Sequence, residues 1–211
     1  MRQTCSKPWR PDPRCEYHGT LMSSQALKDS LSRGVFPGHL RNSGSLETPL
    51  GRVWIEAVPT GICRVEFVGE AATWGGAGGD VRSGTDKEGV GVEGLLAQAM
   101  HELIEYFEGR RKEFTVPLAP VGTPFQQRVW RGLLAIPFGV KWSYQHLAGQ
   151  VGSPRSQRAV GSANGRNPIA VLIPCHRVVA KEDGVGGYSG GVWRKRWLLA
   201  LEASRGLESG R

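Results

Sequence analysis

Residues 143–167 read SYQHLAGQVGSPRSQRAVGSANGRN, and how this stretch divides decides the fold. Ser143 is placed to cap a first helix containing Tyr144, Leu147, Ala148 and Val151. Gly152 supplies a turn, and Ser153-Pro154 opens a second helix with a cap and a first-turn proline. Two short helices meeting at a glycine, with Arg155, Arg158 and Arg166 on or near the second, make a helix-turn-helix pattern. Arginine forks suit phosphates and base edges. The plainer alternative is a helix corner with solvated arginines. The second helix has a face of small residues: Ala159, Gly161, Ser162, Ala163 and Gly165. Such a face permits close approach to a duplex and has few long polar side chains to read its bases.

Upstream, TPFQQRVWRGLLAIPFG (123–139) predicts a helix capped by Thr123, with Pro124 at its first position and Val129, Trp130, Leu133 and Leu134 on one face. Downstream, NPIAVLIPCHRVV (167–179) opens with a turn dipeptide, and IAVLI predicts a buried strand. Pro174 cannot donate a ladder hydrogen bond, so the strand ends there and leaves Cys175 and His176 at its tip. A cysteine is nucleophilic as its thiolate, and an ordinary thiol holds little of that form at neutral pH. A histidine within direct or water-mediated reach can take the proton, and a carboxylate can orient the histidine. Neighbouring side chains on a strand point apart, so a water or a bent backbone is required between Cys175 and His176. The following segment, DGVGGYSGGVWRKRWLLALEASRG (183–206), surrounds Tyr188-Ser189 with glycines, as suits a flat ligand. It continues into a helix with Val192, Trp197, Leu198 and Leu201 as its apolar stripe. Glu202 is the one carboxylate of that helix, and His176 or a basic neighbour is its expected partner.

The amino-terminal half reads differently. RVWIEAV (52–58) and ICRVEFV (62–68), joined at Pro59-Thr60-Gly61, predict a β-hairpin. In the second run Cys63, Val65 and Phe67 share the core-facing side. GLLAQAMHELIEYFEG (94–109) predicts an amphipathic helix carrying Leu96, Met100, Leu103 and Phe107, and ending at Gly109. FTVPL (114–118) reads as a short extended segment. Residues 69–94 hold nine glycines and read as a flexible loop. Residues 1–43 are rich in Ser, Pro, Arg and Gly and read as a disordered tail, with Met22 a possible alternative start.

Charge separates the halves. Residues 44–122 carry a net −5 and residues 123–205 a net +9 within an overall +8. A basic half beside an acidic one points to a polyanion-binding module joined to a different one. The four cysteines, at 5, 15, 63 and 175, form no C-x-x-C pair, which argues against a disulfide framework. Cys15 with His18, or Cys5 with Cys15, are weak metal-ligand candidates, and no metal is predicted. No apolar run reaches the roughly 20 residues of a membrane span, and the first residues have no secretory apolar core.

The sequence strongly resembles the O6-alkylguanine-DNA alkyltransferases (methylated-DNA–protein-cysteine methyltransferases). The resemblance rests on TPFQQRVW (123–130), IPFG (136–139), SYQHLA (143–148), RAVGSANGRNPIAVLIPCHRVV (158–179), GGYSGG (186–191) and RKRWLLALE (194–202), in unbroken order. TPLGRVWI (48–55), GICRVEF (61–67) and EYFEGRRKEF (105–114) resemble the family's less specific amino-terminal domain. The resemblance implies an α+β protein: a ribonuclease H-like α/β domain over 44–120 and a mostly helical, winged-helix-like DNA-binding domain over 121–206.

It further implies transfer of an alkyl group from O6-alkylguanine, and from O4-alkylthymine, to Cys175 once per molecule. His176 matches the histidine that deprotonates the cysteine through a water, and Glu202 matches the carboxylate that holds it. Tyr144 matches the tyrosine that helps flip the nucleotide and protonate the leaving guanine. Arg158 matches the arginine that fills the space left by the base. Ser153, Arg155, Ala159 and Gly161 fall with the DNA-binding residues. Asn167 matches the asparagine bracing the turn, and Val178, Tyr188 and Ser189 fall with the substrate-binding ones. The implied partner is double-stranded DNA. The implied protein is monomeric, needs no cofactor and no membrane, and resides in the cytoplasm, or the nucleus of a eukaryote. The zinc ligands of some eukaryotic relatives are not reproduced. A non-catalytic lesion binder is the alternative, and Cys175 argues against it. A transcription regulator and a cysteine hydrolase are more distant readings.

Overall fold

The computed structural model describes residues 41–68, 91–180 and 184–206. Residues 1–40 of the tail expected over 1–43, with Cys5, Cys15 and His18, and most of the glycine-rich loop lie outside the described residues.

Three antiparallel strands open the fold in the order β1 (Asn42–Thr48), β2 (Gly51–Val58) and β3 (Gly61–Val68). The predicted hairpin is β2–β3. β1 adds a third strand at its edge, pairing from Asn42 opposite Ala57 to Thr48 opposite Gly51. It begins inside the segment expected to be tail. Its sequence, NSGSLET, is poor in β-branched and aromatic residues, and Leu46 is the one large apolar side chain it buries.

The expected alternation along β3 is also corrected. Ala57 pairs with Ile62 and Glu56 with Arg64, so Cys63 is the extra residue of a bulge. Ile62 thereby joins Val65 and Phe67 on the core side. Cys63 is left half-buried, and its thiol donates to the Glu56 carbonyl at 3.5 Å.

α1 (Val92–Phe107) covers the sheet with Leu95, Leu96, Ala99, Leu103 and Phe107. It begins at Val92, so the last residues assigned to the loop are helical. Buried Glu102 staples α1 to the segment after it, accepting from Thr115 N at 2.9 Å, Val116 N at 3.2 Å and Gln98 Nε2 at 2.9 Å. The extended segment expected at 114–118 meets β3, where Ile62 N donates to Pro117 O and Ala119 N to Ile62 O, both at 2.8 Å.

The second half holds α2 (Pro124–Leu134), α3 (Tyr144–Gln150), α4 (Gln157–Gly165) and α5 (Val192–Gly206). A two-residue parallel pair joins β4 (Trp142–Ser143) to β5 (Val178–Val179). Thr123 and Gln126 form a full capping box on α2. Val129, Trp130 and Leu133 are buried, whereas Leu134, expected on the same face, is 49% exposed. Trp130 Nε1 donates to Ala163 O at 2.9 Å and fixes α2 against α4. Ser143 caps α3 through His146 N at 3.0 Å.

Two readings of this half are corrected. Ser153-Pro154 does not start the second helix. Ser153 N donates back to Ala148 O at 2.8 Å behind Gly152 (φ +69), which closes α3. Ser156 N then donates to Ser153 O at 2.9 Å, so 153–156 form a turn whose second position suits the fixed φ of proline. α4 starts at Gln157, and Arg155 lies in the turn before it.

The predicted strand IAVLI is buried but is not a strand. It coils through Val171 at φ +68, a rare conformation for a β-branched residue. Leu172 N donates to Ala170 O at 2.8 Å and Ile173 N to Ile169 O at 3.0 Å. One strand-like link survives at its start, where Val65 N donates to Pro168 O and Ala170 N to Val65 O, both at 2.9 Å. That link ties the amino-terminal sheet to the base of the coil. The buried apolar residues of the two halves form one continuous core. Among the described residues, no helix is long and apolar enough to cross a membrane.

Candidate active site

Asn167 explains how the coil reaches Cys175. Its Oδ1 accepts from Ile169 N at 3.0 Å, while its Nδ2 donates to Ile173 O at 2.8 Å and to the Cys175 sulfur at 3.1 Å. One amide thus replaces the missing ladder partners and holds the thiol. Cys175 opens a 3-10 turn, Cys175–Arg177. Its side chain is therefore not carried on a strand end, and the strand-based objection to Cys–His cooperation falls away.

Cys175, 4% exposed, forms the floor of a pocket of about 200 Å³. Tyr144 of α3, Gly161, Asn164 and Gly165 of α4, and Gly187, Tyr188 and Ser189 of the loop before α5 complete the lining. Tyr144 lies between two glycines. A β-carbon on Gly161 would stand 3.6 Å from its ring, and one on Gly186 3.3 Å from its hydroxyl. The loop is held in place from α5. Lys195 Nζ donates to Val178 O at 2.6 Å and Gly187 O at 3.2 Å. Arg194 donates to Gly190 O at 2.7 Å and to Leu50 O at 2.8 Å, in the turn between β1 and β2.

Behind the floor, His176 is fully buried and 1%-exposed Glu202 faces it. His176 Nε2 lies 2.9 Å from Glu202 Oε1. Arg177 grips both carboxylate oxygens with Nε, at 3.1 and 3.0 Å, and reaches Oε1 again with Nη2 at 3.0 Å. Gly139 N donates to Oε2 at 3.0 Å, and the Tyr106 hydroxyl to Oε1 at 2.7 Å. Burial alone would raise the Glu202 carboxyl, but the His176 hydrogen bond and the Arg177 contact outweigh it and hold the group at about 2. Glu202 is ionised and accepts only, so His176 donates from Nε2 and keeps its lone pair on Nδ1. Nδ1 is buried and has no hydrogen-bond partner among the described residues. Burial lowers the His176 pKa against the pull of Glu202, leaving a neutral imidazole.

The thiol is balanced in the same way. Burial raises the Cys175 pKa, while the Asn167 hydrogen bond and the Lys195 charge oppose it. Burial brings Lys195 down to about 8. The arrangement supplies a buried nucleophile, a neutral base oriented by an ionised carboxylate, and a hydroxyl on Tyr144 facing the same pocket. Tyr144 and Tyr188 stay protonated, since burial and the Cys175 charge raise both.

The sequence-predicted residues separate into two sets. Cys175, Tyr144, Tyr188, Ser189 and Gly161 meet at the pocket, with Asn167, His176 and Glu202 behind it. Val178 is buried, with its carbonyl taken by Lys195. Arg158 and Ala159 lie on the exposed start of α4, and Arg155 in the exposed turn before it, with half-buried Ser153 at that turn's first position. These four stand outside the pocket lining.

The sequence reading missed Arg177, Lys195, Tyr106 and Asn164. A signal for Lys195 was present: it precedes Leu198 by three residues and Glu202 by seven, a helical repeat that puts all three on one face. Val192, assigned to that face, is exposed.

Residues 43–120 match the ribonuclease-like domain of 6-O-methylguanine DNA methyltransferase, and residues 124–204 match its DNA-binding domain. This chain belongs to the 6-O-methylguanine DNA methyltransferase family. The methylated-DNA–protein-cysteine methyltransferase of Mycobacterium tuberculosis (strain ATCC 25618 / H37Rv) is 52% identical over 112 residues, 53% of this chain and 68% of the relative. That of Methanosarcina barkeri is 36% identical over 157 residues, 74% of this chain and 94% of the relative. A crystal structure of Mycobacterium tuberculosis OGT in complex with DNA superposes with a TM-score of 0.65 at 36% identity, covering 78% of this chain and 94% of the other. The family match extends over both halves, and the α+β architecture agrees with it.

Proposed function

We propose that the protein repairs alkylated DNA by moving an alkyl group from O6 of guanine to the sulfur of Cys175. The carrying observation is the buried thiol on the floor of a pocket of about 200 Å³, held by Asn167 and backed by neutral His176 and ionised Glu202. The damaged nucleotide leaves the duplex to reach it, at a cost of a few kcal/mol. The exposed, small-faced start of α4 approaches the DNA, and Arg158 occupies the space the base leaves. Tyr188 walls the pocket, and Ser189 binds near O6.

His176 takes the thiol proton through a water at Nδ1. The sulfur lone pair then forms the S–C bond as the C–O6 bond breaks. The released electron pair returns to the purine, which gains a proton from Tyr144. The product is a thioether, which mild conditions do not hydrolyse, so each molecule acts once. Soluble cytoplasmic or nuclear residence follows from such a role. No step calls for a cofactor.

The test is incubation with a duplex holding one O6-methylguanine, followed by intact mass and peptide analysis. One methyl on the peptide containing Cys175 is expected. Tight binding with no mass gain overturns the reading in favour of a lesion binder.

A further inference from the structure

Glu202 Oε1 is crowded. It accepts from His176 Nε2, from Arg177, and from the hydroxyl of Tyr106 at 2.7 Å. Tyr106 lies 96 residues earlier, on α1 of the amino-terminal half, and is fully buried. Its ring packs against Phe107, Phe114 and Phe138, with centroids 5.6, 5.3 and 6.1 Å away. The ring contacts need no hydroxyl, and a phenylalanine would satisfy them. The hydroxyl serves one acceptor, the carboxylate that orients His176.

We propose that Tyr106 is a positioning residue for alkyl transfer, through which the amino-terminal half sets the strength of the His176–Glu202 pair. This inference rests on the function proposed above. A carboxylate oxygen offers about two lone-pair directions, so a donor on Oε1 competes with His176 for its charge. With the Tyr106 hydroxyl in place, Glu202 pulls less on the imidazole proton. Without it, the carboxylate draws harder and the imidazolium becomes easier to form. The charged and titratable groups around His176 are Cys175 and Arg177 on its own turn, Glu202 and Lys195 on α5, and Tyr106 on α1 acting through Glu202. Of these, Tyr106 alone belongs to the amino-terminal half. Burial and the Glu202 charge keep its phenol protonated, so it stays a donor.

The experiment uses the full chain and Tyr106→Phe. Methyl transfer from an O6-methylguanine duplex is followed from about pH 5 to about pH 9, and His176 is titrated by NMR in the same samples. The variant is expected to move both the acid limb of the rate profile and the His176 titration upward by about half a unit to one unit, with transfer below that limb slowed roughly three- to tenfold. Phe114→Leu loosens the ring packing but keeps the hydroxyl, so it is expected to lower stability with no shift. If Tyr106→Phe loses stability like Phe114→Leu and leaves the His176 titration unmoved, Tyr106 is only a packing residue and the proposal is overturned. A wild-type protein that transfers no methyl group overturns the functional reading instead. The His176 titration still decides the coupling in that case.

Discussion

The Asn167 amide nitrogen stands 3.1 Å from the Cys175 sulfur and 2.8 Å from the Ile173 carbonyl, so one side chain both shapes the backbone before the nucleophile and touches it. Asn167→Ala removes these contacts together with the bond from Ile169 N. Unpaired buried groups cost about 1–3 kcal/mol each, so a loss of roughly 3 kcal/mol is expected in denaturant unfolding. The Asn167 contact also favours the thiolate, so the Cys175 titration, followed by thiolate absorbance, is expected to move up. A stable variant with an unmoved thiol would contradict both roles.

Glu202→Gln leaves the Arg177 guanidinium buried without its counter-charge, and a loss of about 3–5 kcal/mol is expected near neutral pH. The pH dependence carries the sign. Glu202 is held at about 2 against an ordinary 4.5, so the folded chain gives up its charge later than the unfolded one. Its stabilisation is complete above about pH 4.5 and is lost as pH falls towards about 2. The stability gap between wild type and Glu202→Gln should therefore narrow across that window, measured by unfolding at stepped pH. A gap of constant size would show that the charge is not what Arg177 needs.

Lys195 titrates in the opposite range. Burial lowers it from 10.5 to about 8, so the unfolded chain keeps the proton longer. Lys195 therefore adds stability as pH climbs from about 8 to 10.5. Lys195→Met keeps the length of the chain and removes the titration. The difference between wild type and variant is expected to grow in favour of wild type over that window. Parallel stability curves would place the lysine in a more hydrated setting than the structure gives it.

Arg158 is exposed at the start of α4. Arg158→Ala is expected to change stability by no more than about 0.5 kcal/mol, as surface substitutions do. Transfer from duplex DNA is expected to slow by roughly tenfold, because flipping costs a few kcal/mol and loses its wedge. Transfer from free O6-methylguanine, which needs no flipping, is expected to hold. Equal slowing of both substrates would remove the wedge role.

The parts legible in the sequence were those with local causes. Thr123-Pro124 and Ser143 announced their helices through cap chemistry, and β2 and β3 through alternation. Cys175, His176 and Glu202 were legible as residue types in order along the chain. What stayed hidden depends on contacts between distant segments. IAVLI has the composition of a strand, and the Asn167 side chain outbids any ladder by supplying its hydrogen bonds at Ile169 and Ile173. The bulge at Cys63 depends on how β2 and β3 register. Tyr106 lies beside Phe107 on α1, and nothing near it in sequence shows that its hydroxyl ends at Glu202. Arg177, beside His176, stayed hidden because its carboxylate partner is 25 residues away.

A protein that spends its nucleophile in one event must keep it unspent until then. Oxidants attack thiolates that solvent can reach. Cys175 is 4% exposed, with burial holding it towards the thiol form, on the floor of a pocket of about 200 Å³. The same enclosure that leaves the sulfur open to a base seated in the pocket therefore gives the resting molecule its redox durability. Peroxide treatment short of unfolding should leave the capacity for transfer largely intact, so the number of active molecules in a cell would follow synthesis and repair events rather than oxidative wear.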